Sequence, residues 1–234
     1  MSCCTTRPQR VNSVPPTLYH SFVKIYTEVY AKRCTEDKCE RAQINAFSGS
    51  GAAVLRLQEG TLILTAEHIC NRLNQTETIN DYTISFHMKI IDYQGNSYEN
   101  IEMVDSQSEH DICLVLIKEK FLPPVPVSQQ SPRVGERVYN LAAPLGIFSE
   151  GMVPTFEGFY SGNARPGVSL YTIPVQGGSS GSPIFNDRFQ LIGVVHSKFG
   201  GIENISLSVS FQILYDFLQK YQNRLSLKEI NSSN

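Results

Sequence analysis

The chain has 234 residues, is 41% hydrophobic and 18% charged, and carries a net charge of −2. That length and apolar content suffice for a large buried core without staples, and they exclude a disordered chain. The near-neutral charge, with no basic stripe, excludes the electrostatic footprint of a nucleic-acid binder, and no apolar run approaches bilayer-spanning length, so no membrane partner is expected.

Residues 1–16, MSCCTTRPQRVNSVPP, are polar and proline-bearing, read as a mobile tail, and contain no apolar segment of the secretory type. Pro15-Pro16-Thr17 reads as a helix entry with Thr17 as N-cap. Leu18, Phe22, Ile25 and Val29 follow at helical spacing, which predicts a helix ending near Lys32-Arg33. With Tyr19, Phe22, Tyr26 and Tyr30 on it, this helix is a candidate docking arm for a protein partner; plain packing against the rest of the chain is the alternative. Residues 1–45 are thus expected to form an N-terminal extension.

The cysteines at 3, 4, 34, 39, 70 and 113 are too sparse for a disulfide framework and read as free thiols, which points to a cytoplasmic setting (or a virion-associated one for a viral protein). Cys70 and Cys113 sit in apolar runs as small buried hydrophobes. Cys34 and Cys39 could pair, or could join Cys3 and Cys4 at a metal, but the spacing is poor for zinc. No metal and no cofactor is expected.

From residue 46 the character changes to short β-type runs separated by turn residues: 51–57, 61–65, 82–91, 112–117, 137–142, 155–161, 169–174, 183–185, 191–196 and 205–209. Short strands at regular spacing argue an all-β antiparallel barrel or sandwich. Phe211, Leu214, Tyr215 and Leu218 then predict a C-terminal helix over 211–221, before a polar tail at 223–234. The β region is expected to be one domain, 46–222.

Cleaving an amide through an alcohol needs a hydroxyl, a neutral imidazole beside it, a buried carboxylate to orient that imidazole, and fixed donors for the oxyanion. The sequence offers one candidate for each. His68 ends the run Thr61-Leu-Ile-Leu-Thr-Ala-Glu-His68, at the end of a predicted strand. Asp111 heads the apolar run Ile-Cys-Leu-Val-Leu-Ile, where a part-buried carboxylate needs a cationic partner. His110 competes for the base role, but neighbours on an extended strand face opposite ways. Ser180 lies in Gly177-Gly178-Ser179-Ser180-Gly181-Ser182-Pro183, whose glycines let two backbone N–H groups converge; Gly178 and Ser180 are the natural oxyanion donors. Each signal has a bland reading: a strand-end His, a turn Asp, a Gly/Ser surface loop. Their combination in the order His, Asp, Ser is what points to catalysis.

TAEH68, HD111ICLVL and GGSS180GSP resemble the three active-site blocks of trypsin-like serine peptidases. The runs Arg133-Val-Gly-Glu-Arg-Val-Tyr139, Ala143-Pro-Leu-Gly146 and Phe156-Glu-Gly158 are similar to segments of the HtrA-like and glutamyl-endopeptidase branches. Over about residues 47–220, the resemblance implies two six-stranded antiparallel β-barrels with the triad in the cleft between them, closed by a C-terminal helix, and a polypeptide substrate. Two departures matter. Ser179 stands where many relatives have an Asp, and no Ile-Val-Gly-Gly start precedes the first barrel strand, so zymogen activation through an N-terminal ammonium is not expected. No further domain is expected after the peptidase.

The resemblance also implies that the specificity pocket is built from 171–178 and 194–201, with Thr172, Val175, Val195, His196 and Lys198 as candidate lining residues. No acidic residue lies in 171–178, which disfavours Arg or Lys at the cleavage site. An acidic or Gln preference through His196 or Lys198 requires a bulge, because His196 is one residue out of step with the pocket His of glutamyl endopeptidases. The competing reading is a catalytically idle or self-processing structural protein on the same fold.

Overall fold

The computed structural model describes residues 14–36, 38–73 and 75–232, with side chains as far as 223. Residues 1–13 of the expected mobile tail, and with them the metal alternative through Cys3 and Cys4, lie outside the described residues. In chain order the elements are α1 (Pro16–Ser21), β1 (Phe22–Cys34), β2 (Cys39–Leu57), β3 (Gly60–Thr65), α2 (Glu67–Cys70), β4 (Thr76–Ile79), β5 (Tyr82–Asp92), β6 (Ser97–Tyr98), β7 (Ile101–Gln107), β8 (Ile112–Lys118), β9 (Arg137–Leu141), β10 (Thr155–Arg165), β11 (Val168–Tyr171), β12 (Pro183–Phe185), β13 (Leu191–Phe199), β14 (Ile202–Val209) and α3 (Phe211–Ser232).

The chain is all-β in its body, and the strands form two barrel-like sheets. β9 to β14 close into a barrel in the order β10-β11-β14-β13-β12-β9. The first sheet runs β4-β5-β1-β2-β3-β8-β7, with β6 added on β5. It is an eight-stranded open half-barrel where a closed six-stranded one was expected.

Most of that difference comes from β1. The predicted helix over 18–33 is corrected: only Pro16–Ser21 is helical, with Pro15 rather than Thr17 at the N-cap. Val23, Ile25, Thr27 and Val29 are buried at every second position, alternating with half-buried Lys24, Tyr26, Glu28 and Tyr30. Three of those four buried residues are β-branched aliphatics and the fourth is Thr, the composition of a strand. The 4-3-4 stripe fits the helix equally well, and the backbone partners decide: β1 pairs with β2 on one side and β5 on the other. The proposed docking arm therefore loses its helix. Phe22 is fully buried, and Tyr26 and Tyr30 lie on a central strand.

Strand β8 explains the layering. Cys113, Val115 and Ile117 pack with Val23, Ile25, Ile63 and Ile90 inside the first sheet. Ile112, Leu114 and Leu116 point the other way, into a cluster shared with Leu141, Phe185, Leu191 and Val194 of the second barrel and with Leu214, Phe217 and Leu218 of α3. A strand buried on both faces reads as the continuous apolar run seen in the sequence. The helix α3 runs on to Ser232, past the expected end at 221, so most of the expected polar tail is helical.

The free-thiol expectation is corrected as well. Cys34 and Cys39 are bonded at the tip of the β1–β2 hairpin, and Cys70 is bonded to Cys113. This removes the premise on which the reducing compartment rested. The second bond ties α2 to β8 across 43 residues of sequence. A loop of that length removes about 4 kcal/mol of denatured-state entropy in the chain-entropy picture. The double variant Cys70→Ala/Cys113→Ala is expected to melt about 10 °C below the wild type. Calorimetry of both proteins checks this, and equal melting temperatures would mean the staple is not formed.

Candidate active site

Strand β3 runs straight into α2, which carries His68, and a tight turn leads from β7 through Asp111 into β8. Because β3 and β8 are hydrogen-bonded neighbours from Gly60↔Lys118 to Thr65↔Cys113, the two ends emerge side by side. Asp111 has φ +50, a left-handed conformation that Asp tolerates better than most residues. It is therefore a turn residue, not the extended strand position used to set it against His110.

The carboxylate grips His68 twice. The His68 backbone N–H donates to Oδ1 at 2.9 Å, and Nδ1 lies 2.7 Å from Oδ2. Ser108 Oγ donates to Glu67 Oε1 at 3.0 Å, a second tie between the two segments, and the Cys70–Cys113 bond sits two residues beyond each partner. Burial alone would push the Asp111 carboxyl up; the hydrogen bonds and charge of His68, with the charge of His196, outweigh it and hold the carboxyl below the ordinary carboxylate range. Its contribution to stability is thus fully present above the unfolded value near 3.9 and is lost as pH falls through the depressed folded value. His110 turns aside, to within 3.9 Å of the position a Cβ on Gly167 would occupy.

The Ser180 loop is welded to the first sheet by its backbone. The Ser50 N–H donates to Ser180 O at 2.7 Å, Ser50 Oγ donates to Gly178 O at 2.8 Å, and the Ala143 N–H donates to Ser50 Oγ at 3.0 Å. Ser50 is fully buried and was missed in the sequence; the one signal was a run of small residues, Ser48-Gly-Ser-Gly51, on a strand. Gly181 has φ +83, and a Cβ there would lie 2.1 Å from Ser50 O and 2.2 Å from Thr65 Oγ1. The Ser180 loop therefore presses against the end of β3, three residues before His68.

Within this loop the N–H groups of Ser179, Gly181 and Ser182 are bonded, to Gln176 O, Val195 O and Ser179 O. Those of Gly178 and Ser180, like that of Gly177, have no acceptor among the described residues, so both predicted oxyanion donors are uncommitted. No hydrogen bond joins Ser180 Oγ to His68 among the described residues.

Gly178 has φ +95, and a Cβ on it would lie 2.3 Å from Ala143 O. Gly178→Ala is expected to displace the loop and cost at least about a hundredfold in kcat, the scale of losing one oxyanion donor. Steady-state kinetics on a peptide ester checks it, and unchanged turnover would remove Gly178 from the oxyanion site.

The candidate pocket residues divide. Val175, in the segment after β11, and Val195, on β13, are buried in the core of the second barrel, so their side chains do not line the cleft, a correction that follows from that burial. The Thr172 hydroxyl accepts the Phe159 N–H at 2.9 Å, and Lys198 is exposed. His196 sits in the bulge that its pocket reading required: Val195 pairs with Ser208 and Ser197 with Leu207, leaving His196 as the extra residue. It lines a 370 Å³ cavity with Asp111, His110 and Arg165. Burial lowers its pKa, the charges of His68 and Arg165 act the same way, and Asp111 opposes them, so the ring is held toward its neutral form. Among the described residues no group of three His, Cys, Asp or Glu side chains could hold a metal.

A family model described as trypsin-like peptidase domain matches residues 49–194. The chain belongs to this trypsin-like peptidase family. The matched span contains His68, Asp111 and Ser180, and begins at the small-residue run that holds the Ser180 loop. The chain is similar in fold to a serine endoprotease from Yersinia pestis, with a TM-score of 0.64 and 19% identity over 89% of this chain and 67% of that one. No curated protein sequence matches the chain. Membership makes the protein a trypsin-like serine peptidase in general terms, with a polypeptide as its class of substrate.

Proposed function

We propose that the protein is an active serine endopeptidase working through His68, Asp111 and Ser180 and an acyl-enzyme intermediate. The observation that carries this reading is the doubly held His68–Asp111 pair beside a loop in which the N–H groups of Gly178 and Ser180 are both uncommitted. With Nδ1–H given to Asp111, the Nε2 atom of His68 is the free base. It takes the Ser180 proton as Oγ attacks the carbonyl carbon; the oxyanion is received by the Gly178 and Ser180 N–H groups; the proton then passes to the leaving amine. Water repeats the sequence to release the acid. Asp111 stays ionised throughout, in keeping with its depressed pKa.

The missing Ser180–His68 hydrogen bond is what favours the second reading, a structural protein with an idle site. The two readings part in one experiment: incubation of the full chain with a mixed decapeptide library and mass spectrometry of the products. The endopeptidase reading expects new internal termini. An unchanged library would favour the idle site.

A further inference from the structure

Two walls meet at the Ser180 loop. One is β13 with residues 171–178, the side that the family resemblance assigns to the residue whose carbonyl is attacked. The second wall is built from β1, β2 and the turn at 143–147, which touch the loop through Ser48, Ser50 and Leu145. Gly178 is in contact with this second wall: a Cβ on it would lie 2.9 Å from Ser48 Oγ and 3.2 Å from Gly146 N. Gly146 in turn faces Lys24, whose Nζ donates to Gly146 O at 2.9 Å. The ammonium is thus one residue removed from the oxyanion loop.

Lys24 is half-buried, and no carboxylate pairs with it among the described residues. Burial lowers its pKa, and no charged neighbour offsets this. Every other half-buried lysine on the first sheet has an acid: Lys89 has Glu28 and Glu99, and Lys118 has Glu102; Lys120, just past β8, has Asp92. An ammonium has three donors and Gly146 takes one. Beside it, Leu145 is 73% exposed and Ile147 is 51% exposed. Leu145 is held at φ +53, with its N–H on Gly177 O, so the nucleophile loop itself clamps the turn that turns this apolar side chain outward. The Lys24 ammonium also lies 5.8 Å from the centre of the Tyr26 ring, a weak cation–π contact that brings no neutralising charge. A strained, exposed Leu beside a cation with no carboxylate partner on the cleft rim is the pattern of a binding site, not of a core.

We infer that Lys24 and the 145–147 turn form a subsite on the leaving-group side that takes an acidic side chain, Asp or Glu, within the first two residues after the cleaved bond. The inference rests on the endopeptidase reading above. It deepens it by naming a second source of specificity, away from His196 and Lys198.

The test compares wild type, Lys24→Met and Lys24→Glu on peptides that differ only at those two positions, carrying Glu, Gln or Lys. Wild type is expected to favour Glu over Gln by roughly two- to fivefold in kcat/KM, the size of one partly shielded ion pair. The ratio should fall to about one in Lys24→Met and invert toward Lys in Lys24→Glu. A wild type without the preference, or variants that slow all three peptides by the same factor, would overturn the subsite and leave Lys24 as a brace for the turn. If wild type cleaves nothing, the endopeptidase reading fails separately. Anisotropy of the same fluorescent peptides on the three proteins then decides the subsite: tighter binding of the Glu peptide that disappears in Lys24→Met supports it, and equal binding overturns it.

Discussion

Ser180→Ala is expected to lower kcat for peptide hydrolysis about a million-fold, to the level left by binding and the oxyanion donors alone. The size follows from the role. Without Oγ there is no covalent step, and the base at His68 has no hydroxyl to activate. The fold should not register the change. Ser180 Oγ makes no hydrogen bond among the described residues, and the loop is held by backbone groups, Ser180 O on Ser50 N–H and Gly181 N–H on Val195 O. Melting temperature within about a degree of wild type, together with loss of turnover, is the expected pair of results. A variant that retains hydrolysis would move the nucleophile elsewhere, with Ser179 and Ser182 the nearest choices; both are fully buried.

The second large effect is Asp111→Asn, expected to cost about ten-thousandfold in kcat. The geometry says why an isosteric change does so much. Oδ1 is fixed by the His68 backbone N–H, so the amide of an Asn must put its NH₂ where Oδ2 now meets Nδ1. The imidazole is then forced to carry its proton on Nε2 and cannot act as a base toward Ser180. Asn also tolerates the left-handed backbone at φ +50, so the turn should survive. The ring proton of His68, followed by NMR, should move from Nδ1 to Nε2. An Asp111→Asn protein with wild-type turnover would mean that the pair is a structural ion pair and nothing more.

What the sequence made legible was the punctuation that marks the candidate site. His68, Asp111 and Ser180 each sit where an apolar run ends or begins or where glycines cluster, and such breaks survive without knowledge of the tertiary fold. The strands at 60–65, 112–118, 137–141 and 183–185 were readable for the same reason, as short apolar runs bounded by turn residues. Strand β1 was not, because Leu18, Phe22, Ile25 and Val29 satisfy a helical period while Val23, Ile25, Thr27 and Val29 satisfy a period of two, and only the neighbours β2 and β5 choose between them. β4, β6 and β7 lack a continuous apolar run, since most of their residues are exposed or half-buried.

The Cys70–Cys113 bond was hidden by the same ambiguity that makes cysteine a good core residue. Two buried cysteines in apolar runs look alike whether bonded or free, and the proximity of α2 and β8 is a tertiary fact. Ser50 was invisible for a related reason. Its value lies in joining β2 to Ser180, Gly178 and Ala143 at once, which no local pattern encodes. The His196 bulge shows the limit of strand periodicity: one inserted residue reverses every inward and outward assignment after it.

The central claim is that Ser180 is a nucleophile activated in the folded chain. Labelling the full protein with a fluorophosphonate and mapping the adduct by mass spectrometry tests it most directly. The account predicts one adduct, on Ser180, formed at a rate that Asp111→Asn suppresses and absent from Ser180→Ala. A protein that takes up no label while folded, or that carries it on another serine, would contradict the account.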